Sequence, residues 1–416
     1  MNDPNTLVKS TWSQELDLPP SCVEFCTAHP SYFLVGTYNL EKDRVETEVN
    51  ETKDDDDGDD DGKDDQAKRT KKVQSRNGSI ITFQLQGKDI VHVHTEPQPS
   101  ALLDLHFNPN EGHQDICAAV SSTATLAMFK LSPENGDGKP LKHLKTLDIS
   151  TLSQGEISPE EGSEILFLSF CWHPSRADML ALTTSTGHVY LVHLATFEKD
   201  WKLHPEPLIT HTLEAWTVSL SPNIAPLEDA HEAAFRVYSG GDDSKLRFGT
   251  YTWNASEDDL TGVTPAMEAR GHDAGVTAIL PLFIQEDGSE LVVTGSYDEN
   301  IRLLSVAPFS RPKNLAESGL GGGVWRLKLI TLDRTSTGTE IWKATILASC
   351  MHTGARVVEL VQPTHGDPQF RVLSRFEEHK SMNYGSDFQP AWKDKLSIVS
   401  TSFYDRLLCL WEFQMP

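Results

Sequence analysis

The 416-residue sequence lacks the features of several large protein classes. Its longest apolar run, residues 165–172, is far too short to span a bilayer, and residues 1–4 do not form a basic and then apolar signal sequence. The six cysteines are scattered, and the one close pair, Cys22 and Cys26, has no second pair to complete a zinc knuckle. We therefore expect a cytoplasmic protein with reduced cysteines, no membrane segment and no metal site.

Positive charge is also scarce, since the formal net charge is −25. Such an acidic chain is a poor partner for nucleic acid, and none is expected. Residues 51–65 carry ten acidic side chains against two lysines. A block of this kind cannot bury apolar area, so residues 42–76 are predicted to be an acidic, disordered insertion. It either docks a basic partner or is a solvated insertion without a role.

Standard catalytic motifs are missing as well. The chain has no Gly-x-Ser-x-Gly elbow and no His-Glu-x-x-His pair, and the glycines of residues 321–323 precede a predicted strand rather than a helix. A phosphate site at a helix N-terminus is therefore not indicated. Motifs alone favour a binding platform, and no cofactor is expected.

What the chain does contain is a repeat, seen most clearly in residues 379–413. His379 is followed by Asp405 within Ser-Phe-Tyr-Asp, and an apolar stretch then ends in Trp411-Glu412. An aspartate in a tight turn can accept hydrogen bonds from backbone N–H groups and from the distant histidine. The tryptophan can pack under a neighbouring blade and donate its indole N–H. This pattern is typical of one WD-type propeller blade.

Seven units of this kind follow one another, each with an inner strand, a polar turn and two further strands of alternating apolar residues. The first six inner strands are predicted near residues 23–26, 103–107, 168–172, 216–220, 276–280 and 324–328. Some units depart from the pattern; in the sixth, Gly354 stands where the turn aspartate is expected. The sequence thus predicts a single domain, residues 1–416, folded as an all-β, seven-bladed WD40-type β-propeller.

The seventh unit lacks an outer strand, because the chain ends just after the strand that carries Trp411. Residues 7–12 alternate apolar and polar side chains and are suited to fill that place. We therefore predict that an N-terminal strand closes the ring.

One face of the predicted propeller is rich in reactive side chains. Loops that enter inner strands and turns between second and third strands lie on the same face, around the central channel. The segments expected there are residues 241–243, 296–298, 321–326, 350–352, 379–387 and 403–405. A histidine, a hydroxyl and a carboxylate could converge on this face, as acyl-transfer chemistry requires.

Several of these residues also have a structural interpretation. Turn-capping aspartates and their histidine partners are the simplest explanation of Asp243, Asp298, Asp405, His272 and His379. Cys350 shares a strand face with His352 and could form a thiolate–imidazole pair, although a small core cysteine is the simpler interpretation. A WD turn has no need of a histidine at His352, and strand packing does not need Trp325 or Tyr384 where they stand. These three are the stronger functional candidates.

The C-terminal half resembles a known family. The segments Gly-Gly-Gly-Val-Trp-Arg-Leu-Lys (321–328), Cys-Met-His-Thr-Gly (350–354), His-Lys-Ser-Met-Asn-Tyr-Gly-Ser-Asp-Phe (379–388) and Ser-Phe-Tyr-Asp-Arg-Leu-Leu-Cys-Leu-Trp (402–411) are similar to the diphthine methyl ester esterases of the diphthamide pathway. The family tends to have other residues where Thr353, Ala355 and Phe388 stand.

The resemblance implies a cytosolic WD-repeat carboxyl-ester hydrolase, which we expect to be a monomer. Its partner would be translation elongation factor 2 carrying methylated diphthine on a histidine. Hydrolysis would remove the methyl group and leave a carboxylate ready for the final amidation.

A mechanism consistent with the motifs and the resemblance has four catalytic residues. His352 or His379 is the general base, which activates either water or the Ser381 hydroxyl, and Asp387 orients that base. These roles are inferred from the residue types, since the family offers no catalytic triad to transfer.

Substrate binding needs an oxyanion donor and a site for the trimethylammonium group of diphthine. That group has no hydrogen to donate, so only aromatic faces and diffuse negative charge can recognise it. Backbone or phenol donors would stabilise the oxyanion. The substrate-binding residues predicted in this way are Gly322, Gly323, Trp325, Arg326, Tyr384 and Tyr404.

Two alternatives remain open at this point. A non-catalytic WD-repeat scaffold would explain the missing catalytic motifs and the acidic composition. A metal-dependent hydrolase would use the histidines and aspartates of the face, although their spacing fits no standard ligand set.

Overall fold

The computed structural model describes residues 5–40, 75–134, 138–148, 165–198, 201–221, 234–254, 259–307, 309–336, 338–391 and 394–415. These residues form strands arranged in seven sheets, and they include no helix, hence none that could cross a membrane. The predicted all-β, seven-bladed propeller is confirmed. The insertion predicted at 42–76 lies almost wholly outside the described residues, and a strand of the first blade begins at Arg76.

The strands form where apolar and polar residues alternate, or where a continuous run of apolar residues lies between two turns. Ile116–Ser121, for example, is buried along its whole length because its sheet is covered on both faces. The turns depend on single polar side chains. Asp298 accepts hydrogen bonds from the backbone N–H of Asn300 at 3.0 Å and of Asp273 at 2.9 Å. The interpretation of Asp298 as a turn-capping residue is therefore confirmed.

Two short strands precede the first blade, and the first four blades then follow in chain order. The N-terminal strands are β1 (Thr6–Val8) and β2 (Ser10–Glu15). Blade 1 contains β3 (Pro20–Phe25), β4 (Tyr32–Thr37), β5 (Asn39–Leu40), β6 (Arg76–Gln86) and β7 (Asp89–Gln98); blade 2 contains β8 (Leu102–Phe107), β9 (Ile116–Ser121), β10 (Thr125–Leu131) and β11 (Leu141–Asp148). Blade 3 contains β12 (Phe167–His173), β13 (Arg176–Thr184), β14 (His188–Leu194), β15 (Trp201–Leu203) and β16 (Ile209–Thr210); blade 4 contains β17 (Ala215–Leu220), β18 (Ala234–Gly241), β19 (Leu246–Asn254), β20 (Asp259–Gly262) and β21 (Met267–Ala269).

The last three blades complete the ring. Blade 5 contains β22 (Val276–Ile284), β23 (Glu290–Ser296), β24 (Asn300–Val306) and β25 (Lys313–Gly319); blade 6 contains β26 (Arg326–Asp333), β27 (Glu340–Ser349), β28 (Ala355–Pro363) and β29 (Gln369–Phe376); blade 7 contains β30 (Gly385–Phe388), β31 (Lys395–Ser402) and β32 (Leu407–Gln414). The first strands of neighbouring blades contact one another around the ring, and the seventh contacts the first. These strands line the central channel.

The N-terminal strands close the ring, as predicted. Strand β2 is the outer strand of blade 7 and pairs with β32 in antiparallel register, with Ser10 opposite Trp411 and Glu15 opposite Leu407. Strand β1 instead pairs in parallel with β29 of blade 6. The segment predicted as one strand, residues 7–12, is therefore divided between two blades, so that the N-terminus also fastens blade 6 to blade 7.

Apolar clusters between blades make up the core. Trp411 is fully buried and stacks on Phe376 of blade 6, with ring centroids 5.2 Å apart. Its indole Nε1 donates to Ser400 Oγ at 3.1 Å, and the same oxygen lies 2.9 Å from His379 Nε2. The repeat pattern of His379 and Trp411 thus marks a contact between blades 6 and 7.

Candidate functional site

A group of aromatic side chains meets at one end of the ring. Because neighbouring strands in a blade are antiparallel, the start of each first strand and the end of each second strand lie at the same end. Side chains from these positions form a contiguous set, called here the aromatic cluster: Trp216, Tyr297, Trp325, Tyr384 and Phe403, with Tyr38 and Tyr404 at its edge. Blades 1, 4, 5, 6 and 7 contribute to it.

Trp325 lies at the centre of the aromatic cluster. Its ring centroid is 5.0 Å from that of Tyr384, 5.8 Å from Trp216 and 5.9 Å from Tyr297. These rings are only half-buried, so part of their surface is open to a ligand. Two predicted substrate-binding residues, Trp325 and Tyr384, are therefore brought together.

The edge of the aromatic cluster is more exposed. Phe403 lies 5.5 Å from Tyr384 and 5.1 Å from Tyr404, measured between ring centroids. Tyr404, the third predicted aromatic ligand, is 71% exposed. It lies at the rim, where its ring contacts Phe403.

Polar groups adjoin these rings. Asp242 accepts a hydrogen bond from the indole Nε1 of Trp216 at 2.9 Å. Burial raises the pKa of Tyr297, and Tyr384 and Asp242 raise it further; burial likewise raises the pKa of Tyr384. Both phenols therefore stay neutral and keep an O–H donor at physiological pH. Neutral aromatic faces beside a carboxylate suit a quaternary ammonium ion, which cannot donate a hydrogen bond.

Below the aromatic cluster, the central channel contains two cavities. One, of about 200 Å³, is lined by Tyr384 together with Glu24, His106, Arg326 and Lys328. The other, of about 240 Å³, shares Glu24, His106 and Arg326 with the first. Tyr384 thus belongs both to the aromatic cluster and to the lining of the channel, beside the charged side chains.

Arg326 crosses the channel from blade 6 to blade 2. Its Nη2 is 2.8 Å from Asp104 Oδ1, and its Nη1 donates to Asp104 Oδ2 at 3.0 Å. The Asp104 carboxylate is fully buried and also accepts a hydrogen bond from Ser169 Oγ at 2.7 Å. Burial alone would raise the pKa of Asp104, but Arg326 and His106 outweigh burial and hold it well below its usual range.

His106 is held between two carboxylates. Its Nε2 lies 3.1 Å from Asp104 Oδ1, and its Nδ1 lies 2.5 Å from Glu24 Oε2. Burial opposes protonation of the ring, but Asp104 and Glu24 outweigh it and raise the pKa of His106 to about 9. The ring is therefore an imidazolium at neutral pH, with both N–H groups engaged.

Lys328 pairs with the last carboxylate of the channel. Its Nζ is 2.7 Å from Asp387 Oδ1 and 3.6 Å from Glu24 Oε1. Burial alone would lower the pKa of Lys328, but the two carboxylates outweigh it and raise that pKa. The channel network, defined as Glu24, Asp104, His106, Arg326, Lys328 and Asp387, thus has three negative and three positive groups when His106 is protonated.

Two of the predicted catalytic residues are not where acyl transfer requires them. His379 is buried between blades 6 and 7 against Phe376, and burial lowers its pKa to about 4. Asp387 is buried in the channel, where it accepts from Phe25 N at 2.7 Å and pairs with Lys328. The hydrogen bonds and ion pairs of the described residues do not join Asp387 to His379, and the role of Asp387 in orienting a histidine base stays a prediction.

The hydroxyl of Ser381 is part of a turn. It donates to Asp405 Oδ1 at 2.7 Å, lies 2.9 Å from Ser402 Oγ, and accepts from Tyr404 N at 2.9 Å. The hydrogen-bond partners that the structure gives it include no histidine, which could serve as the base for an activated serine. Asp405 also accepts from Lys380 N at 3.1 Å, which confirms it as a turn-capping aspartate.

The expected bond between turn aspartate and histidine forms in some blades only. In blade 4, Asp243 Oδ1 is 2.9 Å from Nδ1 of His211, a histidine that was not among the predicted residues. In blade 7 the Nδ1 of His379 is buried without a hydrogen-bond partner, and in blade 5 His272 contacts Thr294 instead. The expectation that His272 and His379 bond the turn aspartates is therefore wrong.

His352 remains on the rim. It is exposed, in the turn that follows β27, and the preceding residue Met351 forms an isolated bridge with Asn383, the neighbour of Tyr384. Cys350, by contrast, is fully buried, and burial raises its pKa to about 12. Cys350 is a core cysteine, and the thiolate–imidazole pair is not supported. His352 is the one predicted base that solvent can reach.

Gly322 and Gly323 pack closely against the turn of blade 6. A Cβ atom on Gly322 would lie 2.5 Å from the carbonyl oxygen of Cys350, and one on Gly323 would lie 2.6 Å from Met351 Sδ. Both residues are buried. Close approach of this loop to blade 6 explains the glycines without an oxyanion role.

Gly354 departs from the repeat for a similar reason. It has a φ of +80°, which favours glycine, and a Cβ there would lie 2.1 Å from the carbonyl oxygen of Phe376. An aspartate does not fit at this position.

Of the channel network, only Arg326 and Asp387 were predicted from the sequence. A usable signal was present, because Asp104 with His106, and Arg326 with Lys328, are pairs of charged residues two apart with leucines beside them in the sequence. Side chains two apart lie on the same face of a strand. Among the described residues, no group of three histidine, cysteine or carboxylate side chains is arranged to hold a metal ion.

Comparison with known proteins gives a consistent set of relatives. No family model matches the chain. The chain is 25% identical to a protein named diphthine methyltransferase homolog from Dictyostelium discoideum, over 97% of this chain and 99% of the relative. It is 25% identical to the diphthine methyltransferase of Saccharomyces cerevisiae, over 95% of each chain. It is also 25% identical to the Schizosaccharomyces pombe protein of that name, over 81% of this chain and 86% of the relative. The similarity thus extends well beyond the C-terminal half.

Proposed function

We propose that this protein removes the methyl group from methylated diphthine on translation elongation factor 2, by hydrolysis of a methyl ester. The observation that carries the proposal is similarity to proteins named diphthine methyltransferase over almost the whole of both chains. The aromatic cluster supports it, because diphthine carries a trimethylammonium group that only such a surface can recognise. As part of the same proposal, the protein acts in the diphthamide pathway, is located in the cytoplasm and is a monomer.

Hydrolysis and methyl transfer differ in what takes the methyl group. The name of the relatives denotes transfer, whereas the motifs of residues 321–328, 350–354, 379–388 and 402–411 resemble an esterase. In hydrolysis, water adds to the ester carbonyl and the bond to the methoxy oxygen breaks, which yields a carboxylate, methanol and a proton. The solvent-exposed rim, with an accessible imidazole near the aromatic cluster, supports hydrolysis.

In the proposed mechanism the trimethylammonium group rests on Trp325 and Tyr384, each contributing roughly 0.5 to 2 kcal/mol of binding free energy. The ester belongs to the same modified side chain, so the catalytic groups must lie within a side-chain length of these rings. His352 is the base that takes a proton from the attacking water. The neutral phenol of Tyr384 donates to the developing oxyanion.

The decisive experiment uses elongation factor 2 that carries methylated diphthine. It is incubated with the purified full-length protein, and the modified peptide is followed by mass spectrometry while methanol is measured in the supernatant. We expect loss of one methylene mass with an equal amount of methanol. A gain of one methylene mass on the unmethylated factor, dependent on an added sulfonium methyl donor, would instead establish a methyltransferase.

A non-catalytic scaffold is the second candidate. It is favoured by one observation, namely that Ser381 and His379 are both engaged in structural hydrogen bonds. In that case the protein would bind elongation factor 2 without changing its mass.

A further inference from the structure

The aromatic cluster and the channel network meet at one pair of neighbouring residues. Trp325 is the centre of the aromatic cluster, and the next residue, Arg326, lines the cavity beneath it. Tyr384 lines that same cavity of about 200 Å³. Tyr384 of the aromatic cluster and the Arg326 guanidinium therefore face one small space, and Trp325 lies beside Tyr384 with ring centroids 5.0 Å apart.

The guanidinium has donors to spare. An arginine has five N–H groups, and the two-pronged contact with Asp104 uses two of them. The side chain is 25% exposed although it is tied to a fully buried carboxylate, and it lines both channel cavities. The contact with Asp104 fixes the guanidinium plane, and a ligand need not order the side chain to use it.

From these observations we propose that the aromatic cluster and Arg326 form one pocket for a betaine, a small zwitterion with a quaternary ammonium and a nearby carboxylate. The ammonium lies against Trp325 and Tyr384, and the carboxylate accepts hydrogen bonds from Arg326. The identity of the macromolecule that carries the zwitterion rests on the proposed function. The pocket itself is inferred from the positions of the described side chains.

The pocket distinguishes a carboxylate from its methyl ester. The ester carries no charge for the guanidinium to meet, whereas the tetrahedral intermediate and the carboxylate product are anionic. In the proposed reaction Arg326 therefore stabilises charge that develops during hydrolysis and then holds the product. A pocket of this kind binds the product more tightly than the substrate.

The test uses glycine betaine, tetramethylammonium and acetate as probes of the full-length protein, each titrated by calorimetry at millimolar concentration. We expect glycine betaine to bind about tenfold more tightly than tetramethylammonium, because a hydrogen bond to a charged group typically contributes at least that factor. Acetate alone should show no saturable binding. Equal affinity for glycine betaine and tetramethylammonium in the native protein would overturn the inference.

Variants assign the effect to the pocket. Arg326→Gln should remove the preference for glycine betaine while leaving tetramethylammonium binding unchanged. Arg236→Gln is the matched control, since Arg236 is also buried in an ion pair, with Glu290 between blades 4 and 5, and does not line either channel cavity. If Arg326→Gln alone does not fold, the double variant Asp104→Asn with Arg326→Gln replaces both charges by amides.

The outcomes separate this inference from the proposed function. A preference for glycine betaine that survives in the Arg326 variants would overturn the pocket. Turnover of methylated diphthine without any such preference would also overturn the pocket and leave the esterase proposal standing. The preference without turnover would support the pocket and count against the esterase.

Discussion

Replacing Asp104 by Asn should destabilise the protein by about 3 kcal/mol, because it leaves the opposite charges of the channel unpaired. Breaking a buried ion pair from one side typically costs about 3 to 5 kcal/mol. The low end applies here, since the Arg326 side chain is 25% exposed and water can partly replace the lost carboxylate. His106 loses one of its two anions as well, and its pKa should fall.

The measurement is urea unfolding of wild type and Asp104→Asn at pH 7, with the midpoint and the slope compared. The control is Arg270→Gln, which breaks an ion pair with Glu268 where the arginine side chain is 78% exposed. Exposed pairs contribute less than about 1 kcal/mol, so the control should hardly change the midpoint. A loss below about 1 kcal/mol in Asp104→Asn would refute the view that the channel network is an energetically coupled unit.

Four further predictions follow from the structure. Trp325→Leu should weaken binding of tetramethylammonium by roughly 3- to 30-fold with unchanged melting, measured by calorimetry. Removal of residues 1–15 takes away both N-terminal strands and should lower the melting temperature in calorimetric scans; unchanged melting would contradict ring closure. His352→Ala should lower turnover of methylated diphthine by about 10²- to 10⁴-fold without loss of substrate binding, and full activity would eliminate it as the base. Because the pKa of His106 is raised from 6.5 to about 9, its stabilisation is complete below pH 6.5 and is lost as the pH rises through about 9. The loss, on the order of 2 kcal/mol after allowance for a ring that is 32% exposed, should be absent in His106→Gln.

The fold could be predicted because each blade carries its own local signals. An inner strand, a turn aspartate and an apolar strand recur within each unit, and every one of them acts over a few residues. Ring closure could also be predicted, because a blade without an outer strand leaves the backbone N–H and C=O groups of its edge strand unpaired. The division of the N-terminal segment between β1 and β2 could not be predicted, because it depends on the gap between blades 6 and 7.

Residues of the candidate site could be predicted only where the local sequence around each of them was unusual. Trp325 stood out beside its glycines, and Tyr384 within its loop, and the structure brings these two together. Trp216 lies 109 positions before Trp325 in the sequence. The two side chains meet only because the first strands of blades 4 and 6 begin at the same end of the ring. Arg326 and Asp104, 222 residues apart, meet across the channel.

The structure places His379 and Asp387 in surroundings that the sequence does not show. Both residues were judged by their chemical type, but what a histidine or a carboxylate can do depends on its burial and its partners. His379 is enclosed between two blades, where burial lowers its pKa to about 4, and Asp387 is held by Lys328. A face-lining residue of a propeller can point to the rim, the channel or the neighbouring blade, and its sequence position does not distinguish the three. Catalytic assignments on such a face therefore require the orientation of each side chain.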